Sequence, residues 1–543
     1  MFGLMMDLPL LVTRIMRHAE RNHPRQEVVA ITADMPSFRY TYADCFARVR
    51  KLANALDALG TPADARVGTL AWNDHRHLEL YFAIACSGRV CHTINPRLFD
   101  EQLLYIINHA EDEWLFVDPA FVPKLEELSS QCPKVKGYIV LTDAAHMPNT
   151  TLPNAMCYEE LLAPHATTYE WPALDERTAC GLCYTSGTTG NPKGVLYNHR
   201  STMLLAYAQA MPDVSNLSAR DCVMPIVPMF HVNAWAYPFA VTNVGGKLVF
   251  PGQRLGDAAQ LTRLVNEEGV TVTAAVPTVA LAILNHAREP GRTLAPLKRF
   301  AIGGSACPLT VIEEFRDRHG VEVLHAWGMT EMSPLGTLNQ HTMLTAKYEG
   351  ERLREHLQSA GRAIPGVELK ITDDDDKELP WDGKAFGSLK VRGLWVCRDY
   401  YKLEGSGGSH ADGWFTTGDV ASIDEHGFMR ITDRAKDVIK SGGEWISSID
   451  LENAAVAHPM VAEAAVIGVT HPTWQERPLL VIVPERGMQP TREELLAWFE
   501  GKVAKWWIPD DVVFVENLPH TATGKISKLE LRKRLQDYRF PSA

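Results

Sequence analysis

Short apolar runs that alternate with helix-like stretches are the feature that most limits what this chain can fold into. The strand-like runs lie between residues 65 and 328 and read "ARVGTLAW", "EWLFVD", "GYIVLT", "CVMPIVP", "KLVF", "VTVTAAVP", "LKRFAIGG" and "VEVLHAWG". Helix-like stretches separate them, for example residues 76–88 and the segment from Phe121. Because strands and helices alternate along the chain, this part is predicted to be an α/β fold.

The length requires more than one domain. A single hydrophobic core stops growing at roughly 250–300 residues, and this chain has 543. After about Ala360, Gly- and Asp-rich turns separate short strands, which predicts an antiparallel β subdomain with a solvated turn at residues 373–376. Beyond "DRAKDVIKSGG" we expect a small α+β unit. Its helices begin at two capping pairs, Ser447 with Asp450 and Thr491 with Glu494.

Composition excludes several classes of protein. Hydrophobic residues make up 46% and charged residues 22%, which is typical of globular proteins. The formal charge of −12 argues against a broad nucleic-acid or anionic-membrane surface. The opening "MFGLMMDLPLLVTRIM" lacks a basic n-region, and the longest apolar run, residues 272–284, is shorter than the ~20 residues of a membrane span. We expect a cytoplasmic protein whose ten cysteines are reduced, with Cys180 and Cys183 in a buried strand.

The stretch "YTSGTTGNPKGVLYNH", residues 184–199, is close to a phosphate-binding loop. Counted from Gly187, a Walker A loop needs glycine before its lysine and a hydroxyl residue after it. Here Pro192 precedes Lys193 and Gly194 follows it. Taken alone, the stretch is equally well explained as a polar turn between a strand and a helix.

Several other stretches place polar groups or glycine pairs after strands. They are "GGSA" from Gly303, "AWGMTE" with Thr330 and Glu331, "TTGD" ending at Asp419, "DRAKD" from Asp433, and "TGKISK" with Lys525. Each alone has a structural explanation as a turn, a helix start or a solvated loop. Their order along the chain is more informative than any one of them.

Together with "PMFHVNAW" and "DRAKDVIKSGGEW", these stretches make the sequence resemble the adenylate-forming superfamily of acyl-CoA synthetases, luciferases and peptide-synthetase adenylation domains, over residues 184–528. The stretches "HTINPRL", "PMFHVNAW" and "SGGEWISSIDLEN" look more narrowly like bacterial medium- to long-chain fatty acyl-CoA ligases, including 3-methylmercaptopropionate CoA ligases. The resemblance implies a large N-terminal domain, residues 1–433, and a mobile C-terminal domain, residues 434–543, with a hinge near Lys436.

The resemblance also implies an ATP site. Hydroxyl and glycine groups of the loop from Thr185 would wrap the phosphates, Lys193 would add a charge, Thr185 and Glu331 would hold Mg²⁺, and Lys525, Thr185 and Glu331 would be catalytic. Trp327 would lie on the adenine, and Asp419 would accept bonds from the ribose. The implied ATP- and AMP-binding residues are Thr185, Ser186, Gly187, Thr188, Thr189, Lys193, Gly303, Gly304, Ser305, Trp327, Gly328, Met329, Thr330, Asp419, Arg434, Lys436 and Lys525.

The implied reaction has two steps. A carboxylic acid attacks ATP to give an acyl-adenylate and pyrophosphate, and coenzyme A then displaces AMP to give the thioester. Lys525 would serve the first step, and after rotation of the C-terminal domain "KSGGEW" would line the second. The acyl and CoA tunnel would contain His231, Val232, Trp235, Lys440, Gly442, Gly443 and Trp445. For Glu476, contact with CoA and a surface ion pair are equal alternatives.

The acid is the least constrained part of the prediction. We place Met332, Leu335 and Gly336 with His231 and Trp235 around the acyl group, and no other basic residue appears in those stretches. A short or medium apolar acid such as 3-methylmercaptopropionate is therefore expected. The alternatives are a long-chain or aryl acid, an adenylating enzyme with another acceptor, and a non-catalytic ligand sensor. By analogy with the related ligases we also expect a homodimer.

Overall fold

The computed structural model describes residues 1, 3–185, 191–403, 412–434, 437–441, 444–521 and 526–540. The α-helices span Val12–Asn22, Tyr42–Ala58, His75–Cys86, Asp100–Ala110, Val122–Leu128, Tyr158–Leu162, His199–Ala210, Tyr237–Val244, Ala258–Glu268, Pro277–Ala287, Leu309–His319, Gly350–Gln358, Ser448–Val456, Arg492–Trp498 and Lys528–Arg534. The strands are β1 (Glu27–Ala30), β2 (Phe38–Thr41), β3 (Arg66–Leu70), β4 (Val90–Thr93), β5 (Trp114–Val117), β6 (Gly137–Val140), β7 (Ala155–Cys157), β8 (Ala179–Tyr184), β9 (Gly194–Asn198), β10 (Cys222–Pro225), β11 (Lys247–Phe250), β12 (Val272–Ala275), β13 (Arg299–Gly303), β14 (Glu322–Gly328), β15 (Leu335–Leu338), β16 (Arg362–Ala363), β17 (Val367–Thr372), β18 (Phe386–Gly393), β19 (Phe415–Ile423), β20 (Met429–Arg434), β21 (Ile439–Ser441), β22 (Glu444–Ile446), β23 (Val461–His471), β24 (Gln475–Pro484) and β25 (Asp511–Phe514).

Two large mixed sheets form the α/β part of the chain. One is nine-stranded, in the order β16-β15-β14-β13-β12-β10-β11-β1-β2, and the other is seven-stranded, in the order β7-β6-β5-β3-β4-β8-β9. Their central strands pair in parallel and are covered by helices, so they are apolar on both faces. Each of the eight apolar runs singled out in the sequence forms one of these strands, and the α/β prediction is confirmed.

The β1–β2 hairpin joins the nine-stranded sheet although it precedes the seven-stranded sheet in the chain. Strand β1 pairs in parallel with β11. The hairpin loop is tied to the other sheet by Arg76, which donates to Asp34 at 2.7 Å and to Glu159 at 3.0 Å. The side chains of Arg76 and Asp34 are 0% and 5% exposed, respectively. This buried ion pair therefore joins the two sheets.

The remaining strands form two smaller sheets. Strands β17–β20 make the predicted antiparallel sheet, and residues 374–376 lie exposed in a turn after β17. Strands β21–β25 form the last sheet, with a separate apolar cluster on each face because successive residues of β23 and β24 alternate in direction. Ser447 and Thr491 cap the helices that follow them, as predicted, but the reciprocal bond of a capping box is present only between Thr491 and Glu494.

Two other sequence predictions can be compared with the structure. Cys180 and Cys183 are buried free thiols in β8, as expected. None of the described helices combines the length and the hydropathy that a membrane crossing needs.

The Arg76 ion pair generates a stability prediction. Arg76→Met leaves the Asp34 carboxylate buried without its cation, so the free energy of unfolding should fall by about 3–5 kcal/mol. Arg263→Met is the matched control, because Arg263 pairs with Glu267 where both side chains are about half exposed, and an exposed pair is worth less than about 1 kcal/mol. Denaturant unfolding of both variants measures the difference, and equal losses would contradict the buried-pair argument.

Candidate active site

A cavity lies where several strands end. It has a volume of about 300 Å³ and is lined by residues at the ends of β8, β10, β12, β13 and β14 or within two positions after them. In α/β sheets, ligands bind outside the carboxyl ends of the strands. The sequence-predicted residues that line it are Thr185, Lys193, His231, Val232, Trp235, Gly303, Gly304, Trp327, Gly328, Met329, Thr330, Glu331, Leu335 and Arg434.

The phosphate-loop candidate connects two antiparallel strands. The ladder between β8 and β9 ends at the pair Tyr184 and Gly194, and Thr185 N–H donates to the Lys193 carbonyl at 2.9 Å. Residues 186–190, which include Ser186, Gly187, Thr188 and Thr189, lie outside the described residues. The interpretation as a turn between a strand and a helix is therefore wrong. A Walker A loop leads into a helix, whereas this loop leads into a strand.

A buried carboxylate joins three segments at the cavity. Glu331, in the short 3₁₀ turn Thr330–Met332 after β14, accepts a hydrogen bond from the Tyr400 hydroxyl at 2.7 Å. The Lys193 ammonium lies 4.8 Å from the centre of the Tyr400 ring. Burial raises the pKa of Glu331, and the Tyr400 hydroxyl partly offsets that rise. Thr185 lines the same cavity, so Glu331 and Thr185 bring to it the kind of oxygen donors that a magnesium ion prefers.

Two residues that line the cavity hold Asp419 beside it. Trp327 Nε1 donates to Oδ2 of Asp419 at 2.9 Å, and the Arg434 guanidinium lies 3.3 Å from Oδ1. Asp419 is buried, and its own side chain does not line the cavity. A ribose that uses this carboxylate would share it with Trp327 and Arg434.

The glycine pair after β13 allows close approach of the backbone. A Cβ on Gly303 would lie 2.7 Å from the carbonyl oxygen of Ala326 and 3.2 Å from the Trp235 ring. Gly304 has a φ of +89°, which other residues rarely adopt. Ser305 is exposed and does not line the cavity, so the structure does not group it with the other two.

The segment that carries His231 and Trp235 is anchored by Asn73. The buried Asn73 amide donates to the carbonyls of Pro225 and Val227, both at 2.9 Å, and accepts from Met229 N–H at 2.7 Å. The Tyr81 hydroxyl also donates to the Met229 carbonyl. Sequence analysis missed these positioning residues, because neither an isolated Asn before a helix nor an isolated Tyr within one carries a motif.

The residues after His231 form a left-handed turn. The φ values from Val232 to Ala236 run from +47° to +62°. Left-handed backbone costs roughly 1–2 kcal/mol for each L-residue, and the β-branched Val232 is especially poorly suited to it. Strain of this kind is kept only where neighbouring structure imposes it.

Arg97 is a basic residue that the sequence analysis did not assign. It lines the cavity, and its guanidinium lies 5.9 Å from the Trp72 ring and 5.7 Å from the Phe230 ring. No carboxylate among the described residues lies within 4.0 Å of it, although other exposed arginines, such as Arg177, Arg263 and Arg392, have carboxylate partners. The sequence analysis considered basic residues only within the presumed acyl stretches and so did not anticipate this second basic residue of the cavity.

Met332 and Gly336 do not line the cavity either. A Cβ on Gly336 would lie 2.5 Å from Met332 Cε and 2.7 Å from the Trp327 ring. Met332 is fully buried. Both residues therefore pack behind Trp327, which separates them from the cavity, and only Leu335 of the three predicted acyl neighbours reaches it.

Of the predicted C-terminal site residues, Arg434 lines the cavity and Lys440 does not. Lys440 in β21 is exposed and pairs across the ladder with Trp445 of β22. Glu476 accepts a hydrogen bond from Lys440 N–H at 3.0 Å. Lys436, Gly442, Gly443 and Lys525 lie outside the described residues.

Comparisons with known proteins identify the family. Residues 16–401 match the model of the AMP-binding enzyme family, and residues 450–525 match that of the AMP-binding enzyme C-terminal domain. The chain belongs to the AMP-binding enzyme family and, within it, to the AMP-forming acyl-CoA synthetases. The resemblance seen in the sequence is thus confirmed.

Two relatives match almost the whole chain. The 3-methylmercaptopropionyl-CoA ligase of Ruegeria lacuscaerulensis is 50% identical over 99% of both chains. The medium-chain-fatty-acid–CoA ligase of Ectopseudomonas oleovorans is 48% identical over 99% of this chain and 98% of its own. In fold, an anthranilate CoA ligase crystallised with anthranoyl-AMP matches 98% of both chains with a TM-score of 0.87 at 24% identity.

The Tyr400–Glu331 hydrogen bond generates a pH prediction. Tyr400→Phe removes a bond that lowers the pKa of Glu331, so this carboxylate should protonate at higher pH. If the ionised carboxylate is needed, the acid limb of kcat/KM for ATP should move to higher pH, and the value at neutral pH should fall roughly tenfold. Tyr401→Phe is the control, since no described contact joins the Tyr401 ring to Glu331. Unchanged acid limbs in both variants would remove Glu331 from the ATP site.

Proposed function

We propose that this acyl-CoA synthetase joins a short or medium apolar carboxylic acid, with 3-methylmercaptopropionate the first candidate, to coenzyme A at the expense of ATP. The observation that carries the proposal is one cavity with two kinds of lining. Thr185, Lys193 and Glu331 supply polar groups, whereas Val232 and Trp235 supply apolar surface. Two relatives that match the full length carry the names of ligases for such acids.

The chemistry follows from charge. The acid's carboxylate oxygen attacks the α-phosphorus of ATP, and pyrophosphate leaves. The CoA sulfur then attacks the acyl carbonyl, and AMP leaves. Because the first step brings two anions together, the protein must position them and offset their charge. Lys193 and Arg434 line the cavity and provide cationic groups for this role. No covalent enzyme intermediate is required.

A magnesium ion fits the described donors. Glu331 and Thr185 would hold it, together with water and phosphate oxygens, and when bound it would neutralise phosphate charge. The buried Glu331 carboxylate supports this assignment, since its raised pKa reflects burial that a nearby cation would offset.

Coenzyme A would bring its phosphates to Arg97. A guanidinium that rests on two aromatic faces without a carboxylate partner is suited to an oxyanion. Arg97 is exposed, which fits a group that remains partly solvated better than an acyl chain in an apolar tunnel. A second carboxylate on the acid is the competing occupant of the same position.

A panel of acids tests the proposal. Acid-dependent pyrophosphate release is measured for unbranched C3–C16 acids, 3-methylmercaptopropionate, aryl acids and dicarboxylates, each with and without CoA. We expect the highest kcat/KM for 3-methylmercaptopropionate or C4–C8 acids and CoA-dependent AMP release. A dicarboxylate preference would assign Arg97 to the acid and contradict the proposal. AMP release that does not need CoA would indicate another acceptor.

The two steps are proposed to use different orientations of residues 434–543 relative to residues 1–433, with a hinge near Lys436. Support comes from the separate apolar clusters of the last sheet and from the fact that Lys440 is not among the residues that line the cavity. Rigid-body rotation of a domain is a common way to present two sets of groups to one site.

Half-reaction measurements test this division. Lys525→Ala should lower acid-dependent pyrophosphate release about 10²–10³-fold, as for the loss of one electrostatic donor. Thioester formation from chemically prepared acyl-AMP should stay within about tenfold, because the other orientation serves it. Lys440→Ala is the matched control and should show the opposite bias. Equal losses in both steps would contradict the rotation.

We also propose a homodimer in the cytoplasm. The N-terminal segment exposes Met1, Leu4, Met5, Met6 and Leu8, each more than half exposed, and contiguous exposed apolar surface marks interaction sites. Light scattering at micromolar concentration should give twice the mass of one chain, and removal of residues 1–8 should shift it toward the monomer. A full-length monomer would contradict this.

A further inference from the structure

The left-handed turn from Val232 to Ala236 needs an external constraint. Its local backbone bonds include Ala234 N–H to His231 O at 3.3 Å and Ala236 N–H to Asn233 O at 3.0 Å, and Ala234 N–H also donates to Pro228 O at 3.2 Å. Right-handed backbone would allow the same number of local bonds without the steric penalty. The reason for the observed handedness must therefore lie in contacts that the turn makes with the rest of the protein.

Gln209 makes such a contact. It lies near the end of the helix His199–Ala210, is 1% exposed, and donates from Nε2 to the Trp235 carbonyl at 3.0 Å. Its Oε1 accepts from the Ser215 hydroxyl, which lies 3.3 Å from the Tyr237 hydroxyl. Both ends of the amide are thus used. Because Gln209 and Ser215 are buried and Trp235 is partly buried, a turn that released Gln209 would leave unpaired polar groups.

The left-handed turn also determines the position of Trp235. The indole lines the cavity, and one of its ring atoms lies 3.2 Å from the position that a Cβ on Gly303 would take. Val232 and Ala234 are buried, so the backbone of the turn has no room to shift by itself. A change in the Trp235 backbone would therefore move a wall of the cavity.

We infer that Gln209 is a positioning residue which holds residues 232–236 left-handed and thereby fixes Trp235 as the wall that selects the acid. This role rests on the proposed acyl-CoA ligase function. In this role Gln209 contacts neither the acid nor the nucleotide. It acts through its hydrogen bond to the Trp235 carbonyl.

The test removes the hydrogen bonds and keeps the side-chain volume. In Gln209→Met, loss of a buried bond should speed amide exchange in residues 232–236 about tenfold and change the ratio of kcat/KM for C10 to C4 acids by about tenfold. The KM for ATP should stay within about twofold, which a general loss of structure would not allow. If Gln209→Met does not fold, Gln209→Asn makes the same test, since it shortens the reach and keeps the amide.

A glycine rescue separates backbone strain from simple loss of packing. Ala234 has a φ of +48°, where glycine carries no penalty, so Ala234→Gly in the Gln209→Met background should restore the acid ratio to within about threefold of the wild type. Ala240→Gly, in the right-handed helix Tyr237–Val244, should not restore it. Ser215→Ala, which leaves the bond to Trp235, should change the ratio by less than about threefold.

Two results would overturn the inference. One is a Gln209→Met enzyme with wild-type exchange in the turn and a wild-type acid ratio. The other is equal rescue by Ala234→Gly and Ala240→Gly. If none of the tested acids stimulates pyrophosphate release by the wild-type protein, the proposed function fails. Amide exchange in the same variants then still decides whether Gln209 holds the turn.

Discussion

The Glu331 carboxylate is the group on which the arrangement of the cavity depends. Its side chain accepts from Tyr400, its backbone carbonyl accepts from Cys397 N–H at 2.7 Å, and the preceding Thr330 carbonyl accepts from the Tyr197 hydroxyl at 2.7 Å. These bonds join the end of β14 in one large sheet to β9 in the other and to the loop between β18 and β19 of the β-rich sheet. A buried carboxylate needs such partners to remain ionised, so the site and the packing of the sheets stabilise each other.

The cavity combines two requirements that are hard to satisfy together. Phosphate chemistry needs charge and hydroxyl groups, whereas an acyl chain needs apolar walls. The chain meets both because strands from two sheets end at the same place and each strand delivers different residues. Trp327 and Trp235 lie between the two kinds of surface, one bonded to Asp419 and the other packed against Gly303.

The sequence predicted the strands and most of the cavity lining, because both depend on local pattern. An apolar run that ends in glycines, such as "LKRFAIGG", predicts a strand without any knowledge of its neighbours. The family resemblance likewise assigns whole motifs to the site at once. The partners of those motifs were missed. Asn73 and Tyr400 act on residues 156 and 69 positions away, and a single sequence does not reveal which distant amide or hydroxyl reaches a given backbone group. Met332 and Gly336 were misplaced for a related reason, since burial behind Trp327 depends on tertiary packing.

The position of the β1–β2 hairpin has a consequence for synthesis on the ribosome. Val28 pairs with Leu248, and translation of the roughly 220 residues between them takes about 10–40 s at the usual 5–20 residues per second. The seven-stranded sheet uses only residues 66–198, so it can close during that interval. Until β11 is made, the β1 edge of the hairpin stays unpaired. We expect the nascent chain to need chaperones most during that interval.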